Sequence, residues 1–345
     1  MNVRLLITAL VTSIACQASA QGFAGLGVDA TDFEQPNPDT RFEFPRDHAP
    51  HLGFRIEWWY LTANLQSEDG TQYGVQWTLF RNATSPTGRP SDQIWMGHAA
   101  VSSPDGHFSA ERLARGQLGH AGVTTAPFQA FIDEWQMTGP NLNDIDVNAQ
   151  GTDFSYSLSL TSILPFVAQG QSGYSVKSDN GRASHYYSQP FYEAVGTLSL
   201  PSGDVQVTGQ AWLDQEWSSS PLTDSQTGWD WVSIHLDDGT KIMGFQVHST
   251  SSSSYSTGTW ISPTGSATPL NPGEITFTPL ESEVVSGRDI PINWRIEIPN
   301  QSLDVEITAI YPDSWMDTTI AYWEGPVEVT GSHTGIGYLE RTGYE

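Results

Sequence analysis

Short strand-like segments separated by turn residues run through almost the whole chain after residue 57. Runs rich in Trp, Tyr, Val, Ile and Thr alternate with clusters of Gly, Pro, Asn and Asp, the pattern of strands and turns. Asp-Gly pairs at 69–70, 105–106 and 238–239 favour tight hairpin turns. We find no run of apolar residues with the 3.6-residue period of a helix. The sequence therefore predicts an all-β fold of sandwich or barrel type and excludes a doubly wound α/β sheet.

The length of 345 residues suits about two domains. We interpret residues 1–20 as a signal peptide and residues 21–41 as an extended N-terminal arm. The segment Ser218-Ser219-Ser220-Pro221 follows one predicted strand and precedes a new hairpin. We place the domain boundary there, which gives an N-terminal domain at 42–217 and a C-terminal domain at 218–345.

The first twenty residues have the features of an export signal. Arg4 precedes a short apolar run, and Ala18-Ser19-Ala20 supplies small residues before a cleavage site, which we place after Ala20. The protein is then periplasmic or secreted. Alternatively, Ile14-Ala15-Cys16 partly fits a lipobox, and Cys16 would carry a lipid anchor. Because Cys16 is the only cysteine, cleavage after Ala20 leaves no disulfide, and no later run reaches the roughly 18 apolar residues of a membrane helix.

Charge excludes several classes of partner. The chain carries 39 Asp and Glu against 14 Lys and Arg, a formal net charge of −25. Such a chain is repelled by nucleic-acid phosphates and by anionic lipid surfaces. Its 13 Trp and 38% hydrophobic content indicate a folded protein rather than an acidic disordered one.

Two clusters of polar and aromatic residues are candidates for chemistry. Alternate residues share one face of a strand, so Trp212, Asp214 and Glu216 are predicted to point the same way. Inside a barrel, desolvation would raise a carboxyl pKa there and make the group a usable acid; the alternative is a polar stripe facing solvent. His185 and Tyr187 form the second cluster, in which histidine exchanges a proton and tyrosine orients water, although a single structural histidine gives the same pattern.

Aromatic motifs elsewhere suggest the wall of an apolar ligand site, with core packing as the alternative. Glu57 and Trp59 belong to the first motif, where Glu57 is either a site carboxylate or the partner of Arg55 or Arg81. Trp229 and Trp231 flank a carboxylate in another. No metal is predicted, because His48 and His51 lack a third ligand at suitable spacing. No cofactor is predicted either, since glycine-rich phosphate loops are absent, as are serine-hydrolase and zinc-protease motifs.

Several of these motifs occur together over nearly the whole mature chain, from about Phe42 to Tyr344. They are Glu57-Trp58-Trp59-Tyr60, residues 73–81, residues 211–217, Gly228-Trp229-Asp230-Trp231, Tyr322-Trp323-Glu324-Gly325 and residues 337–344. In combination they resemble the carotenoid 1,2-hydratase (hydroxyneurosporene synthase) and AttH-like family. The resemblance implies two consecutive lipocalin-like antiparallel β-barrel domains.

The resemblance also implies a site. The family's His-x-Trp and Tyr-x-Asp pairs match His185-x-Tyr187 and Trp212-x-Asp214, with the two aromatic residues exchanged. We therefore expect both clusters to meet in one cavity, where Asp214 protonates an alkene. His185 would direct the attacking water, and Tyr187 and Trp212 would stabilise the carbocation.

The remaining predicted contacts with an apolar isoprenoid or lipid-like ligand come from Glu57, Trp59, Glu216, Trp229 and Trp231. If the protein is an enzyme, it is then a hydro-lyase. The alternative is a carrier that binds such a ligand without changing it. A secreted carbohydrate-active enzyme is a third interpretation, because Trp and carboxylate pairs also suit sugars.

Overall fold

The computed structural model describes residue 26 and residues 30–250 and 254–344. The predicted signal peptide, Cys16 and the first part of the predicted arm lie outside the described residues. Three short 3-10 helices occur among the described residues, at Arg46–His48, Pro90–Asp92 and Pro299–Gln301. No helix in these ranges is long and apolar enough to cross a membrane.

Thirteen strands form the first sheet. They are β1 (Ile56–Ser67), β2 (Gln72–Ala83), β3 (Gln93–Ser103), β4 (Gly106–Arg115), β5 (Ala121–Thr125), β6 (Phe128–Ile132), β7 (Trp135–Asn141), β8 (Asp144–Gln150), β9 (Ser155–Thr161), β10 (Val167–Ala168), β11 (Tyr174–Val176), β12 (Ala183–Leu200) and β13 (Gly203–Ser218). Their order is β4-β3-β2-β1-β13-β12-β9-β8-β7-β6-β5, and β10 and β11 also pair with β12.

Ten strands form the second sheet. They are β14 (Gln226–Leu236), β15 (Lys241–Ser249), β16 (Tyr255–Ile261), β17 (Ala267–Leu270), β18 (Thr276–Val285), β19 (Arg288–Ile298), β20 (Leu303–Ala309), β21 (Trp315–Met316), β22 (Tyr322–Gly331) and β23 (Gly335–Arg341). Their order is β17-β16-β15-β14-β23-β22-β20-β19-β18, with β21 beside β22.

Both sheets curl into nearly closed barrels. In each, the first strand pairs with the last, β1 with β13 and β14 with β23. Strands far apart in the first sheet meet across its core, because a Cβ atom on Gly97 of β3 would lie 2.6 Å from Cγ2 of Ile132 in β6. Alternate residues fill each interior, for example Trp59 and Trp77 in the first barrel and Trp294 in the second. The predicted all-β fold of two antiparallel barrels is confirmed.

The two barrels pack through the outer faces of their sheets. Trp212, Tyr60 and Tyr186 of the first barrel form one apolar cluster with Trp231 and Tyr338 of the second. Sheet faces that would otherwise meet water are thus buried against each other, and this contact creates the site described below.

The segment before β1 covers one end of the first barrel. Phe42 packs against Tyr187 and Trp217, with ring centroids 5.7 and 5.2 Å away. Phe44 stacks on His48 at 4.6 Å. The aromatic residues at this end of the barrel are therefore sealed by the chain itself.

Candidate functional site

The register of β12 and β13 separates the two predicted clusters. Tyr186 lies opposite Glu216 and Ser188 opposite Asp214, whereas His185 lies opposite Trp217. Residues directly opposite in antiparallel strands point to the same side of the sheet. Asp214 therefore faces outward from the first barrel and His185 faces inward. The prediction that the two clusters meet in one cavity is therefore wrong. The partner of His185, Trp217, is three residues from Asp214 along β13, and residues an odd number apart on a strand point to opposite faces.

Trp212, Asp214 and Glu216 do share one face of β13, since Asp214 and Glu216 line one pocket and Trp212 Nε1 donates to Asp214 beside it. This pocket, the inter-barrel pocket, has a cavity volume of about 130 Å³. Its walls come from both barrels and include Trp58, Tyr60, Tyr186, Trp229, Trp231 and Phe245. The carboxyl groups thus lie on the outer face of a barrel and become buried only because the second barrel covers them.

Asp214 is held by three neutral hydrogen-bond donors. Ser188 Oγ and Trp212 Nε1 donate to Oδ1 at 2.5 and 2.6 Å, and the Tyr186 hydroxyl donates to Oδ2 at 2.7 Å. The pKa of Asp214 is raised to about 7, chiefly by burial, with the charge of Glu216 adding to the effect and the three donors opposing it. Burial exceeds the donors because none of them carries a compensating positive charge.

Glu216 has the cation that Asp214 lacks. The ammonium of Lys177 lies 2.9 Å from its carboxylate, and Ser184 Oγ donates to the same oxygen at 2.5 Å. The ammonium also lies 4.1 Å from the ring centroid of Phe245 and 4.9 Å from that of Tyr186. Lys177 is therefore fixed by a carboxylate and two aromatic faces at the edge of the pocket.

The second barrel contributes Glu340 to the pocket, and Glu324 lies directly opposite Glu340 in the pairing of β22 with β23. Glu340 accepts a hydrogen bond from Trp229 Nε1 at 2.6 Å, and burial together with the charges of Asp214 and Glu216 raises its pKa to about 7. Glu324 accepts a hydrogen bond from Tyr60 at 3.0 Å, and burial raises its pKa well above the usual range. Asp214 and Glu340, whose pKa values are both about 7, thus line the same pocket.

Of the other predicted contacts, Trp229 and Trp231 line the pocket, Trp59 does not, and Glu57 lies at its border. Trp59 is fully buried in the core of the first barrel. Glu57 borders the pocket, yet its carboxylate points inward and is bound by Arg81 at 3.1 Å and His51 at 2.7 Å. The alternative in which Glu57 is the partner of Arg81 is the one that the structure contains.

His185 and Tyr187 lie inside the sealed end of the first barrel. His185 Nε2 accepts a hydrogen bond from the backbone of Asn37 at 3.3 Å, and burial lowers its pKa to about 4. The Tyr187 hydroxyl donates to Gln215 and lies 2.6 Å from His48 Nδ1. Their surroundings are core and arm residues, so these side chains anchor the arm rather than contact the pocket.

Sequence reasoning missed Tyr186, Ser188, Lys177 and Glu340. Tyr186 and Ser188 alternate with the predicted His185 and Tyr187 along β12 and so point to the opposite face. The register of β12 against β13 determines which of these two faces meets Asp214. Glu340 follows Tyr338 by two residues, so the two side chains share one face of a strand. This spacing of an aromatic and an acidic residue was the available sequence signal for a second carboxylate. Among the described residues, no three His, Cys, Asp or Glu side chains are arranged to hold a metal ion.

Comparisons with known proteins place the chain among related folds. A family model described as AttH-like matches residues 35–344. An AttH protein from Nitrosomonas europaea is 31% identical, with a TM-score of 0.82, and the match covers 90% of this chain and 99% of that one. Kievitone hydratase from Nectria haematococca is 14% identical, with a TM-score of 0.65 and coverage of 90% and 98%. CghA is 14% identical, with a TM-score of 0.54 and coverage of 91% and 97%. No curated protein matches the sequence significantly.

Proposed function

The chain belongs to the AttH-like family, and on that premise we propose that it adds water to a carbon–carbon double bond of an apolar, isoprenoid-like ligand. The observation that carries the proposal is Asp214, a carboxyl group with a pKa of about 7 that lines a pocket with aromatic walls. Near neutral pH a large fraction of this group keeps its proton, as a general acid requires. The name of one structural neighbour, kievitone hydratase, is that of a water-adding enzyme.

The hydrogen bonds indicate which oxygen of Asp214 carries the proton. Oδ1 accepts two donors, Ser188 and Trp212, so both of its lone pairs are used. Within the part of the chain that the structure describes, Oδ2 accepts from Tyr186 alone, whose own oxygen accepts from Trp231 Nε1 at 3.1 Å. The proton therefore resides on the second lone pair of Oδ2, and Tyr186 and Trp231 fix the direction of that oxygen.

The reaction proceeds by proton transfer followed by water attack. The Asp214 proton adds to the less substituted alkene carbon, and the π electrons form the new C–H bond, which leaves a tertiary carbocation. Nearby aromatic faces such as Trp231 and Trp229 stabilise a desolvated cation by ~2 kcal/mol each. A water oxygen then bonds to the cation and its proton passes to a carboxylate, which we assign to Glu340 because it lines the same pocket and its pKa is also about 7. Exchange with solvent after product release returns the proton to Asp214 and removes it from Glu340. Alkene and water thus become a tertiary alcohol.

We propose that this activity takes place outside the cytoplasm, because residues 1–20 are predicted to be an export signal. The mature protein then begins at Gln21 and is recovered from the periplasm or medium. Mass spectrometry of the exported chain tests this, and a lipid-modified peptide beginning at Cys16 would replace cleavage after Ala20 with membrane anchoring.

The direct test is incubation with acyclic isoprenoids in oxygen-18 water, followed by mass spectrometry of apolar extracts. We expect a product heavier by one labelled water, and its formation rate should fall at least ~100-fold in Asp214→Asn. The control is His185→Gln, which alters the inward face of the same sheet and should retain the activity. A ligand that binds in the pocket but is recovered unchanged would identify a carrier instead.

Loss of activity in His185→Gln together with full activity in Asp214→Asn would contradict the assignment of the inter-barrel pocket. Folding of each variant is checked by near-ultraviolet circular dichroism, which reports on the tryptophan-rich contact between the barrels.

A further inference from the structure

A second cavity of about 320 Å³ adjoins the inter-barrel pocket. It lies between residues 170–181 of the first barrel and strands β15 to β17 of the second. Amide and hydroxyl groups dominate its polar lining, which includes Gln171, Tyr174, Ser178, Tyr255, Thr257 and Asn271. Asp179 is the one carboxylate among the described lining residues. The composition suits an uncharged, hydroxyl-rich group that can hydrogen bond and lie against aromatic rings.

The two cavities meet at Phe245, which lines both of them. Lys177 faces the inter-barrel pocket, whereas its neighbours Val176 and Ser178 line the second cavity. The Lys177 ammonium lies 4.1 Å from the Phe245 ring centroid. These two side chains therefore form the partition between the cavities.

The Lys177 side chain is the part of the partition that a ligand can displace, because its backbone is hydrogen bonded and its stem is flexible. The Lys177 N–H donates to the Arg182 carbonyl at 2.7 Å, and its carbonyl accepts from Gln226 Nε2 at 3.1 Å. Its side chain has four rotatable bonds, and among the described residues its ammonium contacts Glu216 and the rings of Tyr186 and Phe245. A ligand can therefore displace this side chain without moving the strands.

A hydrogen-bond chain joins the wall of the second cavity to Asp214. Gln169, next to the lining residue Gly170, donates from Nε2 to Ser188 Oγ at 2.7 Å, and Ser188 donates to Asp214. The backbone N–H of Gly170 also reaches Thr259 Oγ1 of the second barrel at 3.4 Å. The second cavity is thus fixed in position relative to the carboxyl group that faces the first.

We propose that the two cavities form one extended binding site for an amphipathic ligand. Its apolar end lies beside Asp214, and its uncharged, hydroxyl-rich end lies in the second cavity. The inference rests on the proposed function only for the statement that the apolar end is the reacting end. The polar end anchors the ligand, and the partition of Lys177 and Phe245 opens when a ligand spans both cavities.

Saturated probes test the binding site separately from the reaction, because they cannot be hydrated. Isothermal titration calorimetry compares octyl β-D-glucoside with 1-octanol, both below their aggregation limits. We expect the glucoside to bind about tenfold more tightly, since its head group gains several hydrogen bonds. 1-O-Octylglycerol in parallel distinguishes a sugar head group from a glycerol one, and tighter binding of either head supports the extended site.

Variants of the partition and of the second cavity sharpen the test. Lys177→Ala should raise the ratio of glucoside to octanol affinity about threefold or more, because the partition no longer has to open. Phe245→Ala, which keeps the Lys177–Glu216 pair, should do the same if the first variant folds poorly. Asn271→Ala should lower the ratio. The control is Lys241→Ala, the other lysine, which lines neither cavity and should leave the ratio unchanged.

Equal affinity of wild-type protein for octanol and both head-group probes would overturn the extended site. So would an unchanged ratio in both partition variants. Either result leaves the hydration assay with Asp214→Asn to be judged separately, so the two proposals fail independently.

Discussion

Two buried aspartates beside tryptophans have opposite protonation behaviour in this protein. Asp214 meets neutral donors, and burial raises its pKa to about 7. Asp230 meets the Arg341 guanidinium at 2.9 Å and His248 at 2.7 Å, and these groups hold its pKa below the usual value despite complete burial. The charge of the bonded partner, rather than the number of hydrogen bonds, decides which aspartate has a raised pKa and keeps its proton near neutral pH.

The raised pKa of Asp214 predicts a pH-dependent contribution to stability. The folded-state pKa of about 7 exceeds the unfolded value of about 4, so between these values the folded state binds more protons. The contribution is fully present below about pH 4 and is lost as pH rises to about 7, by roughly 4 kcal/mol. Asp214→Asn should therefore gain stability relative to wild type between pH 5 and pH 8, measured by urea unfolding.

Only the difference between the two proteins is diagnostic, because carboxylates with lowered pKa values, such as Asp230, contribute the opposite trend. A difference that stays constant from pH 5 to pH 8 would show that Asp214 is ionised in the folded protein throughout.

At the scale of strands, each barrel contains a buried carboxylate bound by an arginine of the adjacent strand and by a histidine. Glu57 of β1 is held by Arg81 of β2 and by His51, and His51 stacks on Trp217 at 3.7 Å. Asp230 of β14 is held in the same way by Arg341 of β23 and by His248. These clusters fix the first strand of each barrel. Their charged groups bind one another and stabilise the fold.

Removing one partner of such a cluster should be costly. Asp230→Asn leaves the Arg341 guanidinium buried without its counter-charge, and we expect it to lower the free energy of unfolding by ~3–5 kcal/mol. The matched control is Asp304→Asn, which removes an exposed partner of Arg295 and should leave the unfolding midpoint nearly unchanged. Equal effects of the two changes in denaturant titrations would contradict this role of Asp230.

For the whole molecule, the site exists because two sheet faces approach closely. Asn64 Nδ2 donates to the Gly337 carbonyl across the contact at 2.7 Å. Gly74 of β2 leaves room for Pro326 of β22, since a Cβ atom there would lie 2.6 Å from the proline Cδ. The contact therefore depends on a missing side chain, and it belongs to the same sheet-to-sheet packing that encloses the inter-barrel pocket.

Gly74→Ala should separate the barrels slightly. We expect a loss of ~1–3 kcal/mol in unfolding free energy from overpacking, together with weaker binding of apolar probes in the pocket. Gly122→Ala is the control in the same sheet, because its Cβ would meet only ordinary contacts at 3.4 Å or more. Calorimetry and probe titration measure both effects, and unchanged probe affinity in Gly74→Ala would show that this contact does not shape the pocket.

The sequence alone determined the features that depend on local alternation. Strand-rich segments and turn pairs predicted the all-β fold, and the two-residue period correctly placed Asp214 and Glu216 on one face with Trp212. The motifs also identified Trp229 and Trp231 as lining residues. These inferences succeed because side-chain direction along a strand is set by the backbone of that strand.

Only the tertiary structure decided which faces meet. The register of β12 against β13 put Tyr186, not His185, beside Asp214, and a shift of one residue would have reversed the choice. Whether the outward face of β13 met water or protein depended on the second barrel, which also supplied Glu340. Register and barrel packing are set by contacts between residues far apart in the chain. The inter-barrel pocket, the raised pKa of Asp214 and the second cavity therefore form only when both barrels are folded together.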